Sequence, residues 1–238
     1  MEGHTAGMWR RITGQQGPLH GAVIADFGCG SGRFIEVTRS HGGRLIALDL
    51  SDGADIAGDI FRDDPDVLVC QADILHPPIR KSSVDGAYSI GVLHHTPDPR
   101  RGALRMCESV RAGGWVALAV YGHDTHYGRL NVELFRRFFR ATWPLFGPRA
   151  ALLYTEFVVR YVQPFYPVPL VGKLLKAVCP SIRLPDPDWS RLDTFDSVTP
   201  KYQSIHSLDD VFGWAREGGI SCPSQSDWGG AACRGTRA

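Results

Sequence analysis

The chain has 238 residues and carries 26 Lys and Arg against 25 Asp and Glu, a formal net charge of +1. This length predicts one domain with an added segment, able to bury about 70% or more of the surface that the unfolded chain exposes. A near-neutral charge without blocks of lysine and arginine argues against a general attraction for nucleic acid. No uninterrupted apolar stretch reaches the roughly 18 residues that a membrane-spanning helix needs, so no integral membrane segment is predicted.

The cysteines are scattered along the chain without a C-x-x-C pair: Cys29, Cys70, Cys107, Cys179, Cys222 and Cys233. Short paired spacings are typical of zinc sites and of disulfide-rich proteins. We therefore predict neither a metal site nor a disulfide framework. Residues 1–11 contain no apolar leader sequence, and together with reduced cysteines this favours a cytoplasmic protein.

The first predicted elements are a strand over 23–27 and a glycine-rich turn. The strand is a short apolar run, and residues 34–37 continue as an amphipathic helix. Between them stand Gly28, Gly30 and Gly32. Because glycine has no Cβ, it allows positive φ and a close approach of the backbone to a ligand. The pattern is typical of nucleotide-cofactor binding, although a tight turn without a ligand would use the same residues.

A second predicted strand, over 44–48, ends in Asp49, about twenty residues after the first glycine. A carboxylate at this place can accept hydrogen bonds from ribose hydroxyls. The dinucleotide pattern Gly-x-Gly-x-x-Gly requires its third glycine at position 33, which is Arg33. Asp26 would repel a pyrophosphate and suits a cationic ligand. The spacing therefore disfavours NAD.

These motifs resemble those of the class I S-adenosylmethionine-dependent methyltransferases, in particular the small type 11-like enzymes that act on metabolites. The resemblance implies S-adenosylmethionine as the cofactor. It implies that Asp26, Gly28, Gly30 and Gly32 hold the methionine end of the cofactor. It also assigns Asp49 to the ribose hydroxyls.

The resemblance covers residues 22–121 and includes a third strand. Residues 67–74 look like the strand of the family that ends in an acid and an apolar residue flanking the adenine. On this match the two adenine neighbours are Asp73 and Ile74.

The fourth and fifth strands complete the resemblance. Residues 84–95 are similar to the family's fourth strand and the loop that faces the reacting methyl group, and Ser89 is counted among the cofactor-binding residues. Residues 111–121 look like a glycine turn and the fifth strand. The resemblance implies an α/β fold with a Rossmann-like, doubly wound sheet of seven strands, mostly parallel with one antiparallel strand.

The segment 122–206 is predicted to be a helical insertion within a single methyltransferase domain, 1–238. It is rich in aromatics and arginine, has apolar residues at helical spacing, and is divided by prolines into short helices. Only about twenty residues precede the first strand, too few for the N-terminal helices that cover the active site in many relatives. We therefore interpret the insertion as a lid over the carboxyl ends of the strands. An added helical layer or a homodimer face stays open as an alternative.

The end of the chain is predicted to complete the sheet. Residues 207–217 have the serine and aspartate spacing of a capping box and predict the last helix, which two glycines end. The closing strands are predicted over 221–228 and 231–236.

Methyl transfer needs an in-line arrangement of nucleophile, carbon and sulfur, and a base only if the acceptor must lose a proton. Histidine suits that task. His94 is the first candidate for a base or an orienting group, followed by His95, because both come directly after the fourth strand. Structural roles for both stay open. His123 and His126, after the fifth strand, are weaker candidates.

A further candidate is Tyr202, beside Gln203, in a segment that looks like one recurring in methyltransferases with this kind of insertion. Its hydroxyl could reach the substrate pocket, or it could anchor the lid.

We therefore predict methyl transfer from S-adenosylmethionine to a hydroxyl, amine or carbon of a small-molecule metabolite. No nucleic-acid partner is expected. Two alternatives remain: a methyltransferase that acts on a protein or nucleic acid, and a non-catalytic relative that binds the cofactor.

Overall fold

The computed structural model describes residues 2–123, 129–228 and 230–238. The chain divides into two compact units. The sheet unit contains residues 1–123 and 204–238, and the helical unit contains residues 124–203.

One seven-stranded sheet forms the sheet unit, in the order β3-β2-β1-β4-β5-β7-β6. Its strands are β1 (Val23–Phe27), β2 (Arg44–Asp49), β3 (Val67–Gln71), β4 (Val84–Ile90), β5 (Val110–Val120), β6 (Ile220–Gln225) and β7 (Ala231–Arg237). The first five strands run parallel, and β7 is antiparallel to both β5 and β6. The predicted α/β fold with a mostly parallel sheet of seven strands is confirmed.

The strand order reverses between β1 and β4, both in the middle of the sheet. From Ile24 to Phe27, β1 is buried throughout, as expected of a central parallel strand covered on both faces. Open α/β sheets bind ligands at the carboxyl ends of their strands where the order reverses. The loops that follow β1 and β4 flank this point.

The helices along the described residues are α1 (Glu2–Thr13), α2 (Ile35–Ser40), α3 (Gly53–Ile60), α4 (Pro99–Ser109), α5 (Leu130–Phe146), α6 (Arg149–Phe157), α7 (Val171–Val178), α8 (Pro187–Val198) and α9 (Leu208–Glu217). A 3₁₀ turn, Leu93–His95, follows β4, and a π-helical turn, Val158–Val162, follows α6. The capping box of α9 is present as predicted.

Helix α1 was not predicted, because so few residues precede β1. Trp9 and Ile12 on this helix are fully buried. They belong to one core cluster with Tyr88 of β4 and Ala117 of β5. The N-terminal segment therefore covers a face of the sheet.

The helical unit contains α5 to α8, as expected of a helical insertion. It has two small cores of its own, one around Phe139 and Val198 and one around Val158 and Tyr166. Helix α8 was not predicted, although Asp186 caps its first turn by accepting a hydrogen bond from the N–H of Asp188. The role of this unit as a lid stays a prediction.

Gly86 in β4 provides a test of the packing in the middle of the sheet. A Cβ on Gly86 would lie 2.3 Å from the indole of Trp115, which is stacked on Tyr88. We expect Gly86→Ala to lower the free energy of unfolding by about 1–3 kcal/mol, because the ring must move within a packed core. The measurement is urea denaturation followed by circular dichroism.

The control variant is Gly58→Ala in α3, where a Cβ would meet no atom within 4 Å. It should be neutral or stabilising by up to about 1 kcal/mol, because alanine favours helix. Equal stability of Gly86→Ala and the wild type would contradict the packing described.

Candidate active site

The glycine turn after β1 is held against the end of β2. The N–H groups of Gly28 and Cys29 donate to the carbonyl of Leu48, with N···O distances of 2.7 and 2.9 Å. Gly28, Gly30 and Gly32 have positive φ values of +99°, +51° and +96°. A Cβ on Gly30 would meet no atom within 4 Å, so its backbone is open to a ligand.

The other two glycines are packed against side chains. A Cβ on Gly28 would lie 2.4 Å from Val92, on the loop after β4, and a Cβ on Gly32 would lie 2.7 Å from Phe61. The two loops that flank the reversal point are therefore in direct contact. Any side chain at Gly28 would push them apart.

Asp49 at the end of β2 joins the glycine turn to its own loop. Its Oδ2 accepts a hydrogen bond from the N–H of Gly30 at 2.8 Å. Its Oδ1 accepts from the N–H and the hydroxyl of Ser51, at 2.9 and 2.7 Å. An ionised carboxylate offers about four acceptor sites, so about one is left for a ligand. The assignment of this acceptor site to the ribose hydroxyls stays a prediction.

Asp26 lies in an environment that the sequence did not reveal. The residue is 1% exposed, and its Oδ2 accepts a hydrogen bond from the hydroxyl of Tyr88 at 3.0 Å. That hydroxyl also lies 3.1 Å from the hydroxyl of Thr38 in α2. Burial raises the pKa of Asp26 to about 8, with a smaller contribution from the charge of Asp49. In the protein without ligand this carboxyl is therefore mostly protonated at pH 7.

The sequence-based interpretation treated Asp26 as a negative charge that attracts a cation, whereas a protonated Asp26 carries no charge. The carboxyl is directed toward Tyr88 inside the sheet unit. Asp49 is the acid that contacts the glycine turn. A direct contact of Asp26 with the methionine end of the cofactor stays a prediction.

Asp73, after β3, belongs to a short hydrogen-bonded chain. Its Oδ1 accepts from the N–H of Leu75 at 2.9 Å, and its Oδ2 lies 3.2 Å from Nδ1 of His76. Nη2 of Arg101 lies 2.6 Å from Nε2 of His76. Because arginine only donates, Nε2 accepts and the proton of a neutral His76 is on Nδ1, facing Asp73.

Ser89 and Ile74 are more deeply placed than their predicted contacts with the cofactor suggest. Ser89 is fully buried, and its hydroxyl donates to the carbonyl of Phe27 at 2.8 Å. This bond ties β4 to β1, so the hydroxyl has a structural partner. Ile74 is 5% exposed and is part of the main core.

His94 is fully buried in the 3₁₀ turn after β4. Its Nδ1 accepts a hydrogen bond from the N–H of Tyr121, with an N···N distance of 3.3 Å. Burial lowers the pKa of His94 well below its usual value, and His95 and His206 add to this effect. The imidazole is therefore neutral, and the hydrogen bond at Nδ1 assigns its proton to Nε2.

The Nε2 atom of His94 is buried and has no hydrogen-bond partner within the described part of the chain. A buried N–H without a partner costs free energy, so such a group often marks a binding site. Its chemistry here is donation, because the lone pair of the ring is already used by Tyr121. The structure therefore favours the orienting role of His94 over the role of a general base.

The chain that follows the helical unit completes the surroundings of His94, which the sequence analysis missed. The N–H of Ser204 donates to the carbonyl of His94 at 3.0 Å, and the N–H of His206 donates to that of Tyr121 at 3.0 Å. Gly122 and His206 form a parallel β-bridge. Only a weak sequence pattern indicates this contact, because Ser204 and His206 are simply two polar residues just before the capping box of α9.

The remaining candidate residues lie in different places. His95 is half-buried, with its ring 4.2 Å from the ring of His94. Tyr202 belongs to the helical unit, where its ring contacts Lys201. His123 is exposed, and His126 lies outside the described residues. The catalytic roles of His95 and Tyr202 stay predictions.

No group of three or more His, Cys, Asp and Glu side chains among the described residues could hold a metal ion. None of the helices in that part of the chain combines the length and the apolar character that crossing a bilayer requires.

Comparison with known proteins agrees with this geometry. Residues 25–118 match the family described as "Methyltransferase domain". The chain is 32% identical over 111 residues to the Mus musculus tRNA (carboxymethyluridine(34)-5-O)-methyltransferase ALKBH8, covering 45% of this chain and 16% of that protein. It is 30% identical over 128 residues to the tRNA U34 carboxymethyltransferase of Methylococcus capsulatus, covering 52% of this chain and 40% of that protein. The chain thus spans less than half the length of these relatives.

Two solved structures share the fold over most of the chain. One is the Haemonchus contortus phosphoethanolamine N-methyltransferase 2 in complex with phosphomonomethylethanolamine and S-adenosylhomocysteine, at 16% identity and a TM-score of 0.55, covering 93% of this chain and 38% of that one. The other is described as "Complex between the Haloferax volcanii Trm112 methyltransferase activator and the putative methyltransferase". It shares 14% identity at a TM-score of 0.55, covering 98% of this chain and 92% of that one.

The sheet order, the open glycine turn and the acid at the end of β2 are typical of α/β proteins that bind a nucleoside cofactor. The matched domain narrows this class. Residues 25–118 form a methyltransferase domain of the class I S-adenosylmethionine-dependent type, for which S-adenosylmethionine is the cofactor.

The buried carboxyl of Asp26 should make stability depend on pH. The unfolded chain loses this proton near pH 4, whereas the folded protein keeps it up to about pH 8. Between these two pH values the folded protein binds more protons at this group than the unfolded chain does. The free energy of unfolding that this group contributes therefore falls as the pH rises through the window. We expect Asp26→Asn to raise the free energy of unfolding at pH 8 by roughly 1–3 kcal/mol relative to the wild type, and to raise it less at pH 5.

Urea denaturation at pH 5, 6.5 and 8 measures this difference. The control is Asp59→Asn, an exposed carboxylate, which should leave the pH dependence unchanged. Identical pH profiles for the wild type and Asp26→Asn would show that the carboxyl is not protonated in the folded protein.

Proposed function

We propose that the protein transfers the methyl group of S-adenosylmethionine to a hydroxyl, amine or carbon of a small-molecule metabolite. The observation that carries the proposal is the contact between Asp49 and the open glycine turn. The carboxylate accepts from the N–H of Gly30, and the space beside Gly30 is free. This arrangement offers a backbone surface and a ribose acceptor side by side.

The residues are assigned to the cofactor as follows. The turn at Gly28 and Gly30 would face its methionine end, Asp49 its ribose, and Asp73 its adenine, while Ile74 lies in the main core. The sulfonium of the cofactor supplies an already activated methyl group, so the protein has to orient the acceptor and exclude water.

His94 is proposed to orient the acceptor. Its Nε2–H is buried and unpaired within the described residues, and it follows the strand whose loop flanks the cofactor turn. A neutral donor can hold a hydroxyl or carbonyl oxygen of the acceptor while the nucleophile faces the methyl group. A group that stays neutral between pH 6 and 8 keeps this function over the whole range.

The negative net charge of the sheet unit supports a small-molecule acceptor over a nucleic acid. This unit carries fifteen basic and eighteen acidic side chains, a net charge of −3. Affinity for nucleic acid comes largely from lysine and arginine contacts to phosphates. A surface with an excess of acids gives little of this affinity.

Methylation of tRNA is the second candidate, because both relatives described above are named for tRNA substrates. The basic side chains for tRNA would have to come from the helical unit, which carries eleven basic and seven acidic side chains, a net charge of +4.

Asp49→Asn tests the cofactor site. The amide retains the size of the side chain but replaces one acceptor oxygen by a donor, so hydrogen bonds to the ribose hydroxyls are lost. We expect the affinity for S-adenosylmethionine to fall about 10- to 100-fold in calorimetric titration. The control is Asp52→Asn, a neighbouring exposed carboxylate, which should bind within about twofold of the wild type. Unchanged affinity in Asp49→Asn would contradict the ribose assignment.

His94→Asn tests the orienting role and the class of acceptor together. The assay follows tritiated methyl groups from S-adenosylmethionine into a small-molecule extract and, separately, into bulk tRNA. We expect label in the small-molecule fraction, with kcat about 10- to 100-fold lower in His94→Asn because one buried donor is lost. His20→Asn, at an exposed site, should behave like the wild type.

The pH profile distinguishes the two roles of His94. A donor predicts a wild-type rate without an inflection from this group between pH 6 and 8. An inflection near pH 6.5 that disappears in His94→Asn would assign it as a general base. Label in tRNA alone would overturn the small-molecule proposal and leave the cofactor assignment intact.

A further inference from the structure

The helical unit exposes an unusual amount of apolar surface, arranged in stripes. On α5, Leu130, Leu134 and Phe138 follow one another at intervals of four residues, and each is more than half exposed. The opposite side of the same helix is buried through Val132 and Phe139. A packed helix normally needs only one apolar side. The second, exposed apolar side of α5 therefore indicates a surface that binds a partner.

The next two helices repeat this arrangement. Leu153, Phe157 and Tyr161 are spaced by four residues along α6 and the π-helical turn, and all are exposed. On α7 the exposed apolar residues are Val171, Leu174 and Val178. Stripes on three successive helices exceed the scattered apolar residues that a surface normally carries.

The same segment is strongly basic. Residues 129–178 contain eight basic and two acidic side chains, a net charge of +6, although the whole chain carries only +1. The rest of the chain is therefore acidic, with a net charge of −5. Basic and apolar side chains together on short helices are typical of surfaces that bind anionic membranes.

A groove between the start of α5 and α7 combines both properties. It has a volume of about 550 Å³, with an apolar lining from Leu130, Leu134 and Ala177. The cations at this groove are Arg129, Lys173 and Lys176, and none of them forms an ion pair within the described ranges. The side-chain amide of Asn131 donates to the carbonyls of Lys176 and Ala177, at 2.9 and 3.1 Å, and so ties the two helices together.

We propose that residues 129–178 dock on the surface of an anionic lipid bilayer, with lipid phosphates at the groove and the apolar stripes in the headgroup region. The charge complements that of anionic lipids, and the stripes supply the apolar contact that cations alone lack. The exposed leucines distinguish this occupant from RNA, because aliphatic side chains gain nothing from phosphates. A second copy of the segment would bring together two surfaces of charge +6, which repel each other.

Flotation with vesicles tests the proposal on the full chain and needs no methyl transfer, so its result is independent of the proposed reaction. Vesicles of phosphatidylcholine with 30% phosphatidylglycerol, at roughly physiological salt, should carry the protein to the top of the gradient. Vesicles of phosphatidylcholine alone should bind at least about tenfold less, since they lack the negative surface charge.

Two sets of variants separate the contributions of charge and apolar contact. The charge variant combines Arg129→Gln, Lys173→Gln and Lys176→Gln. It should lower the partition coefficient of the protein between vesicles and buffer about 30- to 100-fold. The matched control, Arg10→Gln, Arg80→Gln and Arg216→Gln, removes the same charge from the sheet unit and should change it less than about threefold.

The apolar set is Leu134→Ser, Leu153→Ser and Leu174→Ser, which should reduce binding at least about tenfold. Its control, Ile56→Ser, Ile60→Ser and Leu68→Ser, replaces exposed apolar residues of the sheet unit and should have little effect. Circular dichroism checks that all variants keep their helices.

Three outcomes would overturn the proposal. The first is equal flotation of the wild type, the charge variant of Arg129, Lys173 and Lys176, and the leucine variant. The second is a dimer in light scattering without lipid that the leucine variants abolish, which would assign the stripes to a second copy. The third is tighter binding to bulk tRNA than to vesicles, lost in the charge variants and kept in the leucine variants.

Discussion

The hydrogen bond from the N–H of Gly30 to Asp49 is the interaction on which the rest of the site depends. It fixes the turn after β1 to the end of β2 and uses a carboxylate that the hydroxyl and N–H of Ser51 also hold. The turn in turn contacts the loop after β4 through Val92. One carboxylate therefore links the end of β2 to a backbone turn, and that turn contacts the loop that carries His94.

Much of the sheet could be predicted from the sequence, because its signals are local. A glycine at every second position, an acid at a strand end and short apolar runs each depend on neighbours in the chain, and β1 begins and ends at the predicted residues. The capping box of α9 is equally local. Helix α1 was missed because so few residues precede β1 and its formation depends on the burial of residues such as Trp9, whereas α8 was missed although Asp186 caps its first turn.

The chemistry of the site could be predicted only in part, because it depends on contacts between distant residues. Asp26 and Tyr88 are 62 positions apart, and burial raises the pKa of the Asp26 carboxyl to about 8 although the hydrogen bond from Tyr88 lowers it. His94 and Tyr121 are 27 positions apart, and their hydrogen bond decides which ring nitrogen carries the proton. Sequence identifies the residue types at a strand end, whereas the protonation state follows from packing.

The β-bridge between Gly122 and His206 has an evolutionary consequence. The two bridged residues belong to the sheet unit, so residues 124–203 are inserted between neighbouring backbone positions of that unit. Domain insertions succeed where the two ends lie close together. Selection can therefore exchange or lengthen this segment while β5, α9 and the glycine turn keep their places in the sheet unit.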